Sequence, residues 1–285
     1  MDHLLEIRNL NKTIGNLRLL DINLTLEPGY IMGLIGRNGA GKTSLIKTIL
    51  RLYQKDSGDV YVNGYHMETE EKEAKNEIGF VLDESLFEDN LSIEANGKLF
   101  GSLYSRYDHS LYLQFCKRFE LQVKQKVGKL SKGQKTRFQL AFALSHDAKL
   151  FLMDEPAAGL DPLFRRELLG YMQDIVESGK RSILFSTHLT SDLDQIGDYI
   201  VLLDEGNICL ELDKEELENR FFIASGTRGQ IEHTFGPNVF CRLYEPYKNS
   251  LLIEYPKENQ LKGLSVTKPA LEDLMYYLSK GGFIK

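Results

Sequence analysis

The first two thirds of the chain contain apolar and polar patterns that predict β-strands. Residues 20–27 alternate strictly, with Leu20 and every second residue after it apolar, which predicts a strand with one solvent-exposed face. Residues 30–35 are mostly apolar, as expected for a strand that is buried on both faces. Further strands are predicted at 60–62, 78–82, 150–153, 182–186, 200–203 and 208–212, with tight turns at 63–64 and 205–206.

Helical spacing characterises a long segment between two of these strands. Residues 84–146 contain no convincing strand, and Leu111, Phe115 and Phe119 recur at helical intervals. We therefore interpret 84–146 as a helical insertion between core strands. A shorter helix is predicted at 43–53.

The pattern changes after residue 212. A charged helix is predicted at 214–220, a hairpin at 239–255, and an amphipathic helix after Pro269. The sequence therefore predicts two domains, residues 1–212 and a small α+β domain at 213–285.

The strongest chemical motif directly follows the predicted strand at 30–35. The segment Gly-Arg-Asn-Gly-Ala-Gly-Lys-Thr-Ser at 36–44 fits the phosphate-loop pattern GxxxxGK[ST]. Its glycines let backbone N–H groups approach phosphate oxygens, and the following helix N-terminus favours an anion. Lys42 can reach the β- and γ-phosphates of ATP, and the Thr43 hydroxyl can hold Mg²⁺. The predicted nucleotide-binding residues of this loop are Gly36, Asn38, Gly39, Ala40, Gly41, Lys42, Thr43 and Ser44.

Two carboxylates follow a second buried strand. The strand at 150–153 leads into Asp154 and Glu155, at the carboxyl edge where α/β sheets bind ligands. Asp154 suits Mg²⁺, directly or through water, and we predict that Glu155 is the general base or positions the attacking water. Together with the phosphate loop, these residues predict a P-loop NTPase core. Its α/β fold would have a mixed sheet with flanking helices, a helical insertion and the small C-terminal domain.

A third motif lies between the phosphate loop and the two carboxylates. Leu-Ser-Lys-Gly-Gln at 130–134 resembles the signature sequence of ATP-binding cassette (ABC) proteins, usually written LSGGQ. Ser131 is predicted to cap a helix, whose N-terminus is a second anion site. The resemblance implies that Ser131, Gly133 and Gln134 close on the γ-phosphate of ATP held by a second subunit.

Other residues match the same family in order, so that the resemblance covers residues 4–212. Ala-Gly-Leu-Asp at 158–161 resembles the loop that crosses the dimer interface. His188, at the end of a predicted strand, resembles the switch histidine that contacts the γ-phosphate and holds the attacking water. The resemblance therefore places Asp161 at the nucleotide site and makes His188 a catalytic partner of Glu155.

Three positions depart from the family pattern. Ile14 stands where the family usually places an aromatic residue against adenine, and it offers apolar contact without a π-face. Asp83 replaces the glutamine that follows the strand at 78–82, and it can bind Mg²⁺ directly or through water. Lys132 replaces the first glycine of the signature, so that its side chain either points to solvent or adds positive charge near the phosphates.

Composition and charge limit the settings in which such a chain can work. The 285 residues carry a net charge of −6, which argues against a broad electrostatic affinity for nucleic acid. The three cysteines lie far apart and form no CxxC pair, so neither a zinc site nor a disulfide framework is predicted. The N-terminus lacks an apolar signal core, and no apolar run reaches the roughly 18–20 residues of a membrane span. Work at a membrane would therefore require a partner.

The residues and the resemblance together imply the ATP-hydrolysing subunit of an ABC transporter. MgATP would bind between two copies of the chain, or between it and a related ATPase subunit, at the cytoplasmic face of the membrane. These subunits would drive a separate integral membrane protein. The departures, with Pro-Ala-Leu-Glu-Asp at 269–273, resemble bacterial exporters of peptides, lipids or antimicrobial compounds.

Two other functions stay open at this point. One is a soluble ABC-type ATPase in DNA repair or on ribosomes, although the sequence contains neither a long coiled-coil insertion nor a second cassette. The other is a non-hydrolysing regulatory cassette, although Glu155 and His188 are both present.

Overall fold

The computed structural model describes residues 3–245 and 249–281. Contacts within the chain separate two compact units, Met1–Glu211 and Leu212–Lys285. This division falls beside the boundary predicted after residue 212. Each unit contains its own hydrophobic core.

The first unit begins with a β-hairpin and continues with alternating strands and helices. Its strands are β1 (Leu5–Ile14), β2 (Leu17–Leu26), β3 (Ile31–Ile35), β4 (Ser57–Val62), β5 (Tyr65–His66), β6 (Ile78–Val81), β7 (Leu150–Asp154), β8 (Ser182–Ser186), β9 (Tyr199–Asp204) and β10 (Asn207–Asp213). Its helices are α1 (Lys42–Ile49), α2 (Glu71–Asn76), α3 (Ile93–Gly101), α4 (His109–Arg118), α5 (Lys132–Ala143), α6 (Pro162–Val176) and α7 (Thr190–Ile196), with a 3₁₀ turn at Val127–Lys129.

Two sheets organise this unit. The larger sheet has the strand order β10-β9-β3-β8-β7-β6, and its neighbours from β9 to β6 are parallel. The smaller sheet has the order β2-β1-β4-β5 and is antiparallel. Every residue of β3, β7 and β8 is buried, as expected for parallel strands covered on both faces. The predicted P-loop α/β core is confirmed, and the carboxyl ends of its parallel strands meet at one edge.

The prediction for the strand at 20–27 was wrong at Leu20. The strand starts earlier, at Leu17, and Leu19 is the buried residue, whereas Leu20 is 46% exposed. The cause is a bulge, because Asp21 adopts a left-handed backbone conformation (φ 49°) and its N–H donates to the Asn11 side chain at 3.0 Å. One extra residue at this point reverses the alternation before it.

The helix and turns around the phosphate loop largely follow the sequence pattern. α1 is shorter than the predicted 43–53, since Leu50 closes it and Arg51 turns left-handed (φ 56°). The predicted turns at 63–64 and 205–206 are confirmed, with positive φ at both residues, as two-residue hairpin turns require.

Helices α3, α4 and α5 form the segment predicted as a helical insertion. Asp108 caps α4 by accepting hydrogen bonds from the N–H groups of Ser110 and Leu111. The buried residues on this helix are Tyr112 and Cys116, whereas Leu111 and Phe115 are partly exposed. The helical spacing of Leu111 and Phe115 therefore predicted this helix correctly.

Helix α5 is tied along its length to strand β6. Gln139, 2% exposed, accepts from the Leu82 N–H at 2.9 Å and donates to the Leu82 carbonyl at 2.8 Å. His146, just beyond α5, contacts the Ile78 carbonyl at 2.9 Å through Nε2. Burial lowers the pKa of the His146 imidazole, and the carbonyls it contacts oppose that shift. Because both attachments are buried, α5 and β6 are expected to move as one body.

The second unit is an antiparallel sheet with helices. Its elements are α8 (Lys214–Arg220), β11 (Phe221–Gly226), α9 (Arg228–His233), β12 (Val239–Tyr244), β13 (Asn249–Glu254), α10 (Glu258–Leu261), β14 (Ser265–Thr267) and α11 (Leu271–Gly281), and its strand order is β12-β13-β11-β14. The predicted hairpin corresponds to β12 and β13, although residues 246–248 of its turn lie outside the described residues. Leu271 and Leu274 are buried on α11.

The sequence did not predict β11, the strand on which this sheet is centred. β11 pairs with both β13 and β14. In the described part of the chain, no helix of either unit has the length and apolar character that a membrane crossing requires.

Replacing Gln139 by Leu should destabilise the first unit. The two Leu82 backbone groups would lose their partners in a buried position, and each loss costs about 1–3 kcal/mol. We expect the free energy of unfolding to fall by roughly 2–5 kcal/mol, measured by urea titration with circular dichroism. The matched control is Gln114→Leu on exposed α4, which should stay within about 0.5 kcal/mol of the parent. If the two substitutions lowered the free energy of unfolding equally, the Gln139–Leu82 hydrogen bonds would not stabilise the fold.

Candidate active site

The phosphate loop connects buried strand β3 to helix α1. Two of its glycines are required by the backbone. A Cβ on Gly36 (φ 155°) would lie 2.1 Å from the Leu203 carbonyl oxygen. Gly41 precedes α1 with φ 112°, where a Cβ would lie 2.8 Å from the Leu19 side chain. The loop therefore presents its backbone against the neighbouring strand in a shape that side chains would prevent.

Lys42 lies beneath this loop and is 7% exposed. Its ammonium donates to the Gly36 carbonyl at 2.8 Å and to the Arg37 carbonyl at 3.4 Å. Burial lowers the pKa of Lys42, and the nearby carboxylates of Glu155 and Asp154 oppose that shift. An anion in the loop would favour the charged form of this lysine.

Asp154 joins three elements at the carboxyl edge of the sheet. Its Oδ1 accepts from the Thr43 hydroxyl at 3.0 Å and from the Ser186 hydroxyl at 2.6 Å. The Ser186 hydroxyl also accepts from the Glu155 N–H at 2.9 Å. Asp154 is 3% exposed, so these hydrogen bonds compensate the burial of its carboxylate. Sequence reasoning gave Ser186 no role, although a polar residue ending a buried strand was a usable signal.

Glu155 and His188 are in direct contact. Glu155 Oε2 lies 2.7 Å from His188 Nδ1, and the two side chains are 20% and 50% exposed. The Glu155 backbone adopts φ 48°, an uncommon conformation for a residue with a side chain. The Glu155 carboxylate contacts His188, whereas the Asp154 carboxylate contacts Thr43 and Ser186. A partly exposed carboxylate and a half-exposed imidazole are therefore paired at the carboxyl edge of the sheet.

The oxygen atoms at this edge fit a hard cation such as Mg²⁺. Thr43 and Asp154 offer a hydroxyl and a carboxylate, the ligand types that Mg²⁺ prefers. The described residues contain no group of three His, Cys, Asp or Glu side chains that could hold a metal alone. Mg²⁺ commonly takes its remaining ligands from water and nucleotide phosphates, so this arrangement suits it. Asp83, the other predicted metal ligand, is paired with Lys132 at 2.5 Å.

The signature residues form a helix cap. The Ser131 hydroxyl accepts from the Gln134 N–H at 3.2 Å, and the Gln134 side chain accepts from the Ser131 N–H at 3.0 Å. This reciprocal capping box begins α5 at the predicted position, directly after Ser131, and the helix ends at Ala143. Gly133 faces Leu160 of the 158–161 loop, since a Cβ there would lie 3.5 Å from the Leu160 side chain.

Asp161 also caps a helix. Its Oδ1 accepts from the Phe164 N–H at 3.0 Å, and Pro162 occupies the first turn of α6. This cap fixes the loop that lies beside the signature residues.

A cavity of about 240 Å³ borders the phosphate loop. Ile14, Ser131, Gly133, Gln134 and Asp161 are not among the residues that line it. Its lining residues are Leu17, Asn38, Gly39, Gly41, Lys42, Thr43, Ser44 and Glu155.

Leu17 was missed by sequence reasoning. It lies opposite Ile14 across the β1–β2 turn. The signal was the short Gly15-Asn16 turn, which places Leu17 beside its predicted neighbour.

Comparison with known proteins places this site in a family. A family model described as ABC transporter matches residues 19–158. The chain is 32% identical over 222 residues to the lantibiotic transport ATP-binding protein SrtF of Streptococcus pyogenes, covering 76% of this chain and 93% of that protein. It is 29% identical over 223 residues to the bacitracin transport ATP-binding protein BcrA of Bacillus licheniformis, covering 77% of this chain and 73% of that protein.

A solved structure of an ATP-binding subunit of an ABC transporter is similar in fold. The TM-score is 0.69 at 25% identity, covering 75% of this chain and 92% of that structure. The family suggested by the signature sequence is confirmed. The chain belongs to the ATP-binding proteins of ABC transporters, a family of ATPases.

Proposed function

We propose that this chain hydrolyses MgATP at a head-to-tail interface between two ATPase subunits and thereby drives a separate membrane exporter. The observation that carries the proposal is the 2.7 Å contact between Glu155 and His188. Glu155 also lines the phosphate-loop cavity, so the pair adjoins the position where a γ-phosphate would lie. A base, its partner and a phosphate grip are the parts that hydrolysis requires.

Binding would use groups that now contact one another. Lys42 would exchange its loop carbonyls for β- and γ-phosphate oxygens. Thr43 and Asp154 would hold Mg²⁺, which offsets the negative charge on the phosphates. Because the lysine and the carboxylate are largely buried, little reorganisation is needed beyond these exchanges.

The hydrolytic step would depend on the exposed pair. Glu155 accepts a proton from the attacking water or orients it, and His188 keeps the glutamate and the water in place. Their contact fixes the Glu155 carboxylate even though His188 is half exposed. Position and electrostatics, rather than a covalent intermediate, would account for the rate.

A second subunit would complete the site. Ser131, Gly133 and Gln134 do not line the phosphate-loop cavity, so the signature of one chain is free to meet ATP held by another. Asp161 follows Leu160, which lies beside the signature, so it would lie at the same interface between the two subunits. The partner is a second copy or a related ATPase subunit.

Coupling to a membrane protein is the remaining part of the proposal. The segment 83–91 exposes Leu86 and Leu91, which suits contact with an integral membrane subunit at the cytoplasmic face of the membrane. SrtF and BcrA carry names that refer to lantibiotic and bacitracin transport, which favours export of peptides, lipids or antimicrobial compounds. A neighbouring gene for a protein with several membrane spans is the observation that tests this coupling.

The two alternatives are less well supported. A non-hydrolysing cassette has no need for the Glu155–His188 contact. A repair ATPase would carry long coiled-coil helices, whereas the longest helix in the described residues, α6, has 15 residues.

Glu155→Gln tests the base directly. The substitution keeps the shape of the side chain but removes its basicity, and loss of a positioned base costs about 10² to 10⁴ in rate. ATP turnover should fall by that factor while ATP binding persists, measured by phosphate release and by calorimetry. Glu167→Gln, on the exposed face of α6, is the matched control and should retain full turnover. Near-normal turnover of Glu155→Gln would exclude the assigned role.

Base selectivity is a second test. Ile14 and Leu17 offer the adenine no aromatic face, so the dissociation constants of ATP and GTP should differ by less than about tenfold, or roughly 1.4 kcal/mol. Ile14→Tyr should tighten both nucleotides, since stacking on a base contributes about 1–3 kcal/mol. A larger preference for ATP in the parent chain would mean that another residue reads the base.

Mixing two inactive variants tests the shared site. Lys42→Ala disables the phosphate loop, and Ser131→Arg disables the signature. In a mixed dimer, one site combines the intact Lys42 of one chain with the intact Ser131 of the other, so one complete site is regained. Partial recovery of ATPase activity is expected, whereas each variant alone stays inactive. Glu155→Gln should form ATP-dependent dimers on a sizing column.

The arrangement fails if the mixture shows no recovery and Glu155→Gln stays monomeric with saturating ATP. Both assays are then repeated with the membrane subunit present. The same result in its presence would exclude the head-to-tail dimer.

A further inference from the structure

Two of the departures from the family pattern, Lys132 in the signature and Asp83 at the glutamine position, contact each other in the structure. Lys132 Nζ lies 2.5 Å from Asp83 Oδ1, so a cation introduced at one position faces a carboxylate introduced at the other. Each charge would be unpaired if only one of the two residues were present. The two side chains therefore neutralise each other's charge in this structure.

Asp83 faces the same space as the proposed metal and water groups. It follows β6, and β6 runs parallel to β7 with Val81 opposite Met153. A cavity of about 240 Å³ is lined by Asp83, Lys132, Asp154 and Glu155, among others. Asp83 therefore borders the same cavity as Asp154, one of the two proposed ligands of Mg²⁺.

Among the described residues, the Lys132–Asp83 contact is the most exposed of the three polar contacts that join the α5 region to β6 and the residues after it. Gln139 and His146 make theirs through buried groups, 2% and 0% exposed. The Lys132 and Asp83 side chains are 47% and 57% exposed, and exposed ion pairs contribute little to stability. This contact can therefore break while α5 stays in place on the strand.

A divalent cation is a stronger competitor for Asp83 than a half-exposed ammonium. Mg²⁺ binds carboxylate oxygens preferentially and carries twice the charge of a lysine. Once Asp83 turned to the metal, the Lys132 ammonium would be left at the first turn of α5, next to Ser131. That helix end already favours an anion.

We propose that Asp83 exchanges Lys132 for Mg²⁺ when the nucleotide site of its own chain is loaded, and that the released Lys132 binds the phosphate held by the partner subunit. The inference rests on the proposed head-to-tail dimer. It makes Lys132 a phosphate-binding residue whose availability depends on the occupancy of its own chain. The signature of a chain binds the partner's phosphate more strongly after that chain's own site has bound MgATP. MgATP binding at one site therefore favours MgATP binding at the other.

The exchange is testable with MgADP, which requires neither hydrolysis nor a dimer. The readout is the ratio of the ADP dissociation constants measured without and with Mg²⁺ by calorimetry. Lys132→Met removes the competitor for Asp83, so this ratio should rise by about five- to tenfold, at the lower end of typical coupling between sites. Asp83→Asn should lower the ratio, and the double variant should match Asp83→Asn alone.

Lys135→Met is the matched control, because Lys135 lines the same cavity and, in the part of the chain that the structure describes, forms no ion pair with Asp83. It should leave the ratio within about twofold, below the range expected for coupled sites. The exchange is overturned if Lys132→Met and Lys135→Met act equally, or if Lys132→Met has the same effect in the Asp83→Asn background. Either result would mean that only the general charge of the cavity matters.

The second half of the proposal is tested in the dimer. In the Glu155→Gln background with MgATP, Lys132→Met should weaken the dimer about tenfold by analytical ultracentrifugation, whereas Lys132→Arg should preserve it. Equal dimerisation of the parent and Lys132→Met would overturn the role of the released lysine. If no variant dimerises, the proposed dimer itself fails, while the MgADP ratios still decide whether the exchange occurs.

Discussion

The buried carboxylate of Asp154 is the interaction on which the site depends. It connects the start of α1, through Thr43, with the end of β8, through Ser186. A carboxylate that is 3% exposed is costly unless its lone pairs are satisfied, and here two hydroxyl groups supply the hydrogen bonds. The same bonds set the spacing between the phosphate loop and the neighbouring strands. Removing the Ser186 hydroxyl would also take away the partner of the Glu155 N–H, because Ser186 accepts a hydrogen bond from that group.

Around this fixed point, the groups differ in how freely they can move. Lys42 and Asp154 are buried and held by several partners. His188 and the Lys132–Asp83 pair are about half exposed, and among the described residues each side chain is held by one contact. Chemistry that requires precise phosphate placement thus lies on the rigid part, and contacts that must respond to the nucleotide lie on the adaptable part. The low cost of breaking an exposed ion pair makes such a division possible.

Local patterns predicted the core because each buried strand and the phosphate loop carry their own signals. The exceptions arise from residues distant in sequence. Leu20 is exposed because Asn11, on the preceding strand, accepts a bond from the Asp21 backbone and stabilises a bulge. β11, which sequence reasoning missed, is paired on both sides, with β13 and β14. The Lys132–Asp83 pair exists because α5 packs against β6, and local sequence patterns do not predict such tertiary contacts.

The capping box explains why the signature needs an external acceptor. The first N–H groups of a helix have no carbonyl within the helix, and the Ser131 hydroxyl satisfies that of Gln134. The Gln134 side chain in turn satisfies the Ser131 N–H, so both side chains are committed to the cap. The cap uses only the oxygen atoms of these two side chains, so the Ser131 O–H and the Gln134 amide N–H groups can still donate. The N–H groups of Lys132 and Gly133 likewise lack a carbonyl partner within α5 by the geometry of the helix itself. A phosphate approaching this end would meet those N–H groups without disturbing the cap, and a free Lys132 side chain would add its charge at the same point. The sequence change at position 132 therefore strengthens an anion site that the helix already provides.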